Sequence, residues 1–188
     1  LFAGVISLLG LTSIHCIHSC ILINEKTITL YAFKGINALE FRSGNTVQLI
    51  QSYGQFSQQD SVYLRQHWRL NNMAPVKLPA MIPNLASFIN PPFFPGCSLF
   101  QFYEYKLALI SDPFQLPIGD HKIEVDALVI SGNPSVQIDV LMQFFQTRII
   151  ILDPSNSSYH IHKWQDEARQ SHIVTYDVGA EGAFIKRL

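Results

Sequence analysis

Two short stretches of small polar residues are the places where this sequence could carry out chemistry. Residues 131–133 have the sequence Ser-Gly-Asn and residues 153–156 have the sequence Asp-Pro-Ser-Asn, and each follows an apolar run. A serine acts as a nucleophile when a base is oriented beside it, and Ser131 lacks the flanking glycines of a G-x-S-x-G elbow. Because the two stretches hold no His, no Cys and one carboxylate, we interpret them as turns.

Three aspartates lie at the ends of predicted strands, where carboxylates could gather around a cation. They are Asp112, Asp126 and Asp153. Each stands beside a turn, and aspartate favours turns because its side chain accepts hydrogen bonds from nearby backbone N–H groups. The turn role is therefore the preferred interpretation. A hydrolase with a site around Ser131, Asn133, Asp112 and Asp153 is the enzymatic alternative.

Histidines and cysteines occur close together at two places. His160 and His162 would share one face of a strand and could chelate a metal there, but at the start of a helix they diverge. Four soft ligands stand near the beginning of the sequence, namely His15, Cys16, His18 and Cys20. We interpret the pair as solvated residues at a helix start and the group of four as residues at a membrane interface. The sequence accordingly predicts no metal and no cofactor.

A β-α-β unit positions the two polar stretches. Residues 127–130 and 149–152 are short apolar runs without helical period, which predicts buried strands. Asn133 is predicted to cap the intervening helix and Pro134 to occupy its first position. The apolar stripe of this helix consists of Ile138, Leu141, Met142 and Phe145. Such units cross over right-handedly into a parallel sheet, and function is normally built in the loops beyond the carboxyl ends of its strands.

The remaining sequence predicts an antiparallel meander in front of this unit and mixed elements around it. Strands are predicted over residues 26–33, 36–41, 46–50, 98–103, 106–111, 173–178 and 183–188, with a hairpin turn at 179–182. Ser57 and Asp60 form a variant of the capping box that introduces a helix ending near Asn71, and residues 159–170 predict an amphipathic helix. Six of the ten prolines fall between residues 73 and 97, which predicts a long irregular segment. This order suits two sheets packed face to face with helices outside.

The composition argues against a chain built to bind nucleic acid by charge alone. Lys and Arg number 13 against 14 Asp and Glu, and charged residues make up 14% of the chain, so part of its surface is expected to be buried in a membrane or against a partner. Aromatic residues gather between 93 and 105 without interleaved basic residues, so core packing is preferred over base stacking. Three cysteines argue against a complete disulfide framework.

The first 24 residues differ from the rest because they contain no Asp, Glu, Lys or Arg. Their apolar part is shorter than the roughly 20 residues that span a bilayer, and it carries the small residues that membrane helices use for close packing. We interpret residues 1–24 as the end of a transmembrane helix with an interfacial linker, and residues 25–188 as a globular domain. A buried helix of the same soluble domain is the alternative.

Several segments resemble the carboxyl-terminal domain of the ComEC family, the membrane channel proteins of DNA uptake in natural transformation. They are TITLYAFKGINALEF, SGNTVQLI, YKLALISD, VDALVISGNPSVQIDVLMQFF, RIIILDPSNSSYHIHKW and VTYDVGAEGAFI, in the family's order and spread over residues 26–188. The resemblance implies a metallo-β-lactamase-like fold, an αββα sandwich of the mixed α/β class that is truncated and degenerate here. It also implies an inner (plasma) membrane location, with the globular domain outside the bilayer.

Active-looking members of this family carry a His-x-His-x-Asp-His loop and further His and Asp ligands, which this sequence lacks. The resemblance therefore implies a metal site that has been lost. Its vestigial positions would be Asp112, Ser131, Gly132, Asn133, Asp153, Ser155 and Asn156.

We expect a catalytically silent domain of a DNA-uptake channel that acts by binding, docking or gating. The implied partners are the transmembrane channel portion of the same longer chain, the membrane, and single- or double-stranded DNA. The alternative is a metal-dependent nuclease acting on the non-transported strand, and a third hypothesis is an interaction module with no tie to DNA.

Overall fold

The computed structural model describes residues 10, 25–71, 73–76, 87–89, 95–115 and 122–188. The end of a transmembrane helix predicted for residues 1–24 lies outside these described residues, apart from Gly10. Among the described residues, no helix is both long enough and apolar enough to cross a bilayer.

The described chain contains the following strands and helices. The strands are β1 (Lys26–Leu30), β2 (Asn37–Ser43), β3 (Thr46–Tyr53), β4 (Ala74–Val76), β5 (Ser87–Ile89), β6 (Cys97–Phe102), β7 (Tyr105–Ile110), β8 (Ile123–Glu124), β9 (Ala127–Ile130), β10 (Phe145–Gln146), β11 (Ile149–Leu152), β12 (Val174–Asp177) and β13 (Phe184–Arg187). The helices are α1 (Gln58–Leu70), α2 (Ile138–Phe144), α3 (Ser158–Gln170) and α4 (Val178–Glu181).

The first sheet has the strand order β13-β1-β2-β3-β4. Strands β1, β2 and β3 form the predicted antiparallel meander, and Gly44 adopts a positive φ of 58° in the turn between β2 and β3. Strand β13 pairs antiparallel with β1 and β4 pairs parallel with β3, so both edges of the meander are extended by distant residues.

The second sheet has the order β12-β11-β9-β7-β6-β5, and the pairs among β7, β9, β11 and β12 are parallel. The predicted β-α-β unit is confirmed, since β9 and β11 are parallel neighbours on either side of α2 in the sequence. Their residues alternate between the two faces of the sheet, and both faces are buried. This explains why the two strands are continuously apolar.

The two sheets pack face to face, with helices on the outside. Phe41 of the first sheet meets Phe100 and Phe102 of the second at ring-centroid distances of 5.7 and 5.4 Å. Helices α2 and α3 cover the outer face of the second sheet through Leu141 and Trp164. On the other side, α1 covers the first sheet, so the expected αββα layer order is confirmed.

Helix α1 is held by a predicted cap and by an unpredicted buried carboxylate. The Ser57 side chain accepts from the Asp60 N–H at 3.1 Å, and Asp60 accepts from the Ser57 N–H at 3.0 Å, so the capping box is confirmed. In the first sheet, Glu40 Oε2 accepts from Trp68 Nε1 at 2.7 Å and from the Tyr31 hydroxyl at 2.8 Å. Burial and the neighbouring Glu40 carboxylate raise the pKa of Tyr31 above its ordinary value, so this hydroxyl stays a donor.

The central helix starts later than predicted. Helix α2 begins at Ile138 with Gln137 as its N-cap, whereas Asn133 and Pro134 were expected to cap and open it. Asn133 has a φ of 56° and uses its side chain to bind the loop that follows β11, so it cannot cap α2. Phe145 lies beyond the end of the helix, in β10.

Two further differences concern the ends of strands. The predicted turn at 179–182 is instead helix α4, capped by Asp177, because β12 and β13 belong to different sheets and cannot form a hairpin. The predicted irregular segment 73–97 contains the short strands β4 and β5. Strand β4 tolerates Pro75 because it lies at the edge of its sheet.

Candidate functional site at the carboxyl edge of the parallel strands

The register of the second sheet brings the two predicted polar stretches together. Ile110, Ile130 and Leu152 are neighbours at the carboxyl ends of β7, β9 and β11. Residues 131–133 and 153–156 continue from the last two of these strands, so they emerge side by side at one edge of the sandwich. This is the edge where open α/β sheets bind ligands.

Asp153 is the centre of a buried hydrogen-bond network at this edge, and it is fully buried. Its Oδ1 accepts from the Ser155 hydroxyl, from the Ser155 N–H at 2.9 Å and from Asn156 Nδ2 at 3.3 Å. Its Oδ2 accepts from Nδ2 of Asn37, which lies on β2 of the opposite sheet. The carboxylate therefore joins its own loop to the first sheet.

The two loops are bonded to each other by the remaining predicted residues. The Gly132 N–H donates to Ser155 Oγ at 2.8 Å, and the Ser131 and Ser155 hydroxyl oxygens lie 3.1 Å apart. The Asn133 N–H donates to Asn156 Oδ1 at 2.9 Å. In return, the N–H at the N-cap of α3 donates to Asn133 Oδ1 at 2.7 Å. Six of the seven predicted positions thus contribute to one network.

Backbone conformation aims two N–H groups into this network. Gly132 and Asn133 both have positive φ angles, 75° and 56°. Here both N–H groups donate to side-chain oxygens of the neighbouring loop, so the donors are already occupied.

The electrostatics of Asp153 reflect burial among neutral groups. Burial raises the pKa of the Asp153 carboxyl above its ordinary value, and hydrogen bonds from Ser155, Asn37 and Ser131 oppose this increase. All of these hydrogen-bond partners are uncharged. A carboxylate so enclosed serves as an acceptor that holds donors in place, and it has no open side for a substrate or a water molecule.

The other two aspartates do not join Asp153. Asp112 follows β7 at the same edge, but it is exposed and takes no part in the network described for this part of the chain. Asp126 precedes β9 and therefore lies at the opposite edge, where its Oδ2 accepts the Lys106 N–H at 2.7 Å. The three carboxylates do not form a cluster around a cation.

Residues that could hold a metal are spread out in the described structure. Among the described residues, no group of three His, Cys, Asp or Glu side chains is close enough to bind a metal ion. His160 and His162 lie in α3, as expected, and His160 Nδ1 is 2.9 Å from Ser157 Oγ. Of the group His15, Cys16, His18 and Cys20, every member lies outside the described residues.

Asn37 was not predicted as a site residue, yet it is the residue of the first sheet that contacts Asp153 in the site. A signal was present in the strand pattern, because Asn37 shares a face with Leu39 and Phe41, which point into the core. Asparagine is depleted in strands, so an inward-facing asparagine indicates a specific buried partner. The partner itself is 116 residues away in sequence and could not be identified from local pattern.

Almost all of the described chain matches a known protein family. A family model described as the ComEC C-terminal domain matches residues 28–188. No curated protein and no solved structure shows a significant match. The chain therefore belongs to the ComEC C-terminal domain family, a metallo-β-lactamase-like domain of a membrane protein that takes up DNA in competence.

Proposed function

We propose that this domain is catalytically silent and serves the DNA-uptake channel by docking or gating beside the pore. One observation carries the proposal. Side chains that are hydrogen-bonded to one another fill the carboxyl edge of the parallel strands. They are those of Asp153, Ser131, Ser155, Asn156 and Asn37. We regard Asp112 and the six loop positions as the remnant of a metal site.

The chemistry of these side chains supports the loss of metal-dependent hydrolysis. Two zinc ions need several His and carboxylate ligands to activate water. At this edge Asp153 is buried among neutral donors, and Asp112 points outward from a different loop. Hydroxyl and amide side chains are weak substitutes for imidazoles.

The surroundings of Ser131 support the absence of a serine mechanism. Ser131 is fully buried, and its hydroxyl lies 3.1 Å from that of Ser155. On the helix α3 that follows the second loop, the His160 imidazole is hydrogen-bonded to Ser157. A nucleophile needs both an open approach and a base that removes its proton.

We further propose the context in which the domain acts. Residues 1–24 would be the end of a transmembrane helix and residues 25–188 the globular domain, outside the bilayer at the inner (plasma) membrane. The channel portion of the same longer chain, the membrane, and DNA would be its partners. Family membership supports the association with a membrane and with DNA uptake.

Metal analysis and a nuclease assay test the proposal. The purified 188-residue chain is incubated with zinc or manganese, dialysed, and assayed for bound metal and for cleavage of single- and double-stranded DNA. We expect substoichiometric metal and no cleavage above background. An Asp112→Ala variant is the matched control, since it removes the exposed carboxylate at this edge without touching the network. Stoichiometric metal together with cleavage that disappears in this variant would identify a nuclease.

A transformation assay tests the docking role. Cells that carry Asp112→Ala in the chromosomal gene are expected to transform like the parent. Cells whose domain is destabilised by Asp153→Ala are expected to lose transformation while the rest of the protein is still made. Normal transformation with an unfolded domain would contradict a docking or gating role.

A further inference from the structure

The outward face of α1 carries a group of exposed apolar side chains. Leu70, Tyr63 and Val62 are 87%, 53% and 43% exposed, while the opposite face of the helix buries Leu64 against the first sheet. Leu70 follows Tyr63 by seven residues and Val62 by eight, so the three share one side of the helix. Single exposed apolar residues are common, whereas a group of them on one element marks a surface that meets a partner or a membrane.

The basic residues of α1 have no acidic partner. Arg65 and Arg69 are exposed, and neither forms an ion pair within the described part of the chain. Arg65 Nε donates one hydrogen bond, to the Ser61 carbonyl at 3.1 Å. The only acidic residue of the helix, Asp60, is bound in the capping box at its start. The outward face of α1 is therefore complementary to an anionic surface.

Helix α3, on the other side of the sandwich, shows by contrast the charge pattern of a helix that faces water. It has 13 residues, as α1 has, yet both of its basic side chains other than histidine are paired. Lys163 lies 3.7 Å from Glu167, and Arg169 lies 2.8 Å from Asp166. Such pairs stabilise a solvated helix. Among the described residues α1 has none of them, so its outward face differs from an ordinary solvated one.

The chain enters the first sheet on the side that carries α1. Glu25 Oε2 accepts from Arg42 Nη1 at 2.9 Å, just before β1 begins. Arg42 shares a face of β2 with Glu40, which contacts Trp68 of α1. The 24 residues before Glu25 contain no Asp, Glu, Lys or Arg. The uncharged segment therefore joins the domain on the α1 side.

The edge strand β13 extends the surface on this side. Ile185 lies on the α1 side of the sheet, because its direct partner on β1 is also the direct partner of Glu40. Arg187, two residues further along β13, has the same orientation. Ile185 is 58% exposed and the Arg187 side chain is 79% exposed. Arg187 and Arg42 share the Glu25 carboxylate, so cations outnumber acids here too.

We propose that the α1 side of the domain lies against a bilayer surface that contains anionic lipids. Such a surface supplies phosphate groups for guanidinium groups, and an interfacial region in which tyrosine and apolar side chains are stable. An acidic protein would match the charges alone, but the uncharged segment that joins this side at Glu25 favours a bilayer. The inference rests on the membrane context of the proposed function and adds the face through which the domain docks.

Quenching of an introduced tryptophan by brominated lipid tests the inference. Leu70→Trp places an indole on the proposed face, and Tyr159→Trp on α3 is the matched control, since Tyr159 is 74% exposed. The 188-residue chain is mixed with vesicles of brominated phosphatidylcholine and phosphatidylglycerol, and the quenching of the parent chain, which contains Trp68 and Trp164, is subtracted. We expect strong quenching in Leu70→Trp and little in Tyr159→Trp.

The same assay tests the role of charge. Adding Arg65→Gln and Arg69→Gln to Leu70→Trp should lower the ratio of lipid-bound to free α1 face by about fivefold for each arginine, as for cations at an anionic surface. High salt should weaken the contact as well. Lys163→Gln with Arg169→Gln removes the same charge from α3 and should have little effect. Equal quenching on both helices, or quenching that survives the loss of both α1 arginines, would overturn the inference.

The outcomes separate this inference from the proposed function. If the chain floats with neutral vesicles at high salt but Leu70→Trp is not quenched by anionic ones, the membrane context stands and the docking face is refuted. If the chain binds only anionic vesicles and depends on Arg65 and Arg69, the face stands and the transmembrane proposal for residues 1–24 fails. A shift of the Leu70→Trp emission with protein concentration, without vesicles, would assign the face to a second copy of the chain and overturn the inference. Circular dichroism of each variant excludes loss of the fold as the cause.

Discussion

The contact between Asn37 and Asp153 gives the most direct test of how the candidate site is held together. Asn37→Ala removes the donor to Asp153 Oδ2 and leaves a fully buried carboxylate oxygen without it. A hydrogen bond to a charged group contributes about 1.5–3 kcal/mol to stability. We expect the free energy of unfolding to fall by about 2 kcal/mol, and the melting temperature to fall by about 4–8 °C for a chain of this size.

The loss of stability in Asn37→Ala should depend on pH. Burial raises the folded-state pKa of Asp153, so its contribution to stability decreases as the pH rises from the ordinary aspartate value towards that folded-state pKa. Asn37→Ala removes one of the hydrogen bonds that lower this pKa, and therefore raises it further. The stability difference between the variant and the parent should therefore grow as the pH rises from the parent's folded-state pKa to the variant's higher one, and be constant below and above this range.

Urea denaturation followed by circular dichroism measures both effects. Asn45→Ala is the matched control, because Asn45 is exposed in the turn between β2 and β3 and should change stability by less than about 0.5 kcal/mol. In an Asp153→Asn background the cost of Asn37→Ala should shrink by about 1 kcal/mol, since the buried charge is gone. An Asn37→Ala variant as stable as Asn45→Ala at every pH would refute this account of the network.

Three further predictions concern positions away from the network. Ser57→Ala removes the cap of α1 and should lower the free energy of unfolding by about 1 kcal/mol in urea denaturation. Trp164→Phe loses the hydrogen bond to Val136 and some buried surface, and should cost about 2 kcal/mol in the same assay. Burial raises the pKa of the Cys97 thiol to about 12, so iodoacetamide at pH 8 should leave Cys97 unlabelled in the folded chain and label it in urea, as peptide mass spectrometry would detect. Rapid labelling of Cys97 in the folded chain would contradict its burial. An unchanged free energy of unfolding in Ser57→Ala or Trp164→Phe would contradict the cap of α1 or the contact between Trp164 and Val136.

The spacing of apolar residues along the sequence predicted most of the strands and helices, because a buried face repeats with the period of its strand or helix. The continuously apolar runs of β9 and β11 predicted a parallel β-α-β unit. The capping residues Ser57 and Asp60 predicted the start of α1. The positions of the two polar loops followed from topology, since parallel strands end at one edge. The mutual bonding of these loops was not predicted.

The unpredicted features depend on contacts between residues far apart in sequence. Asn133 has the side chain of a helix cap, yet its partners are Asn156 and Ser157, so tertiary hydrogen bonds outweigh local capping. Helix α2 starts at Ile138, later than predicted, and the Ile138 N–H donates a hydrogen bond to the Glu167 carboxylate. Likewise, the pairing of β13 with β1 cannot be seen in either segment alone.

The pairing of β13 with β1 has a consequence for how the chain acquires its shape during synthesis. Strand β1 is made well before β13, which is one of its two neighbours in the sheet and aligns Arg187 with Thr27. Until the ribosome has released that segment, one side of β1 exposes unpaired backbone groups that attract other extended chains. The edge of β1 therefore stays open until β13 has been synthesised, and a small deletion at Phe184–Arg187 would leave that exposure permanent.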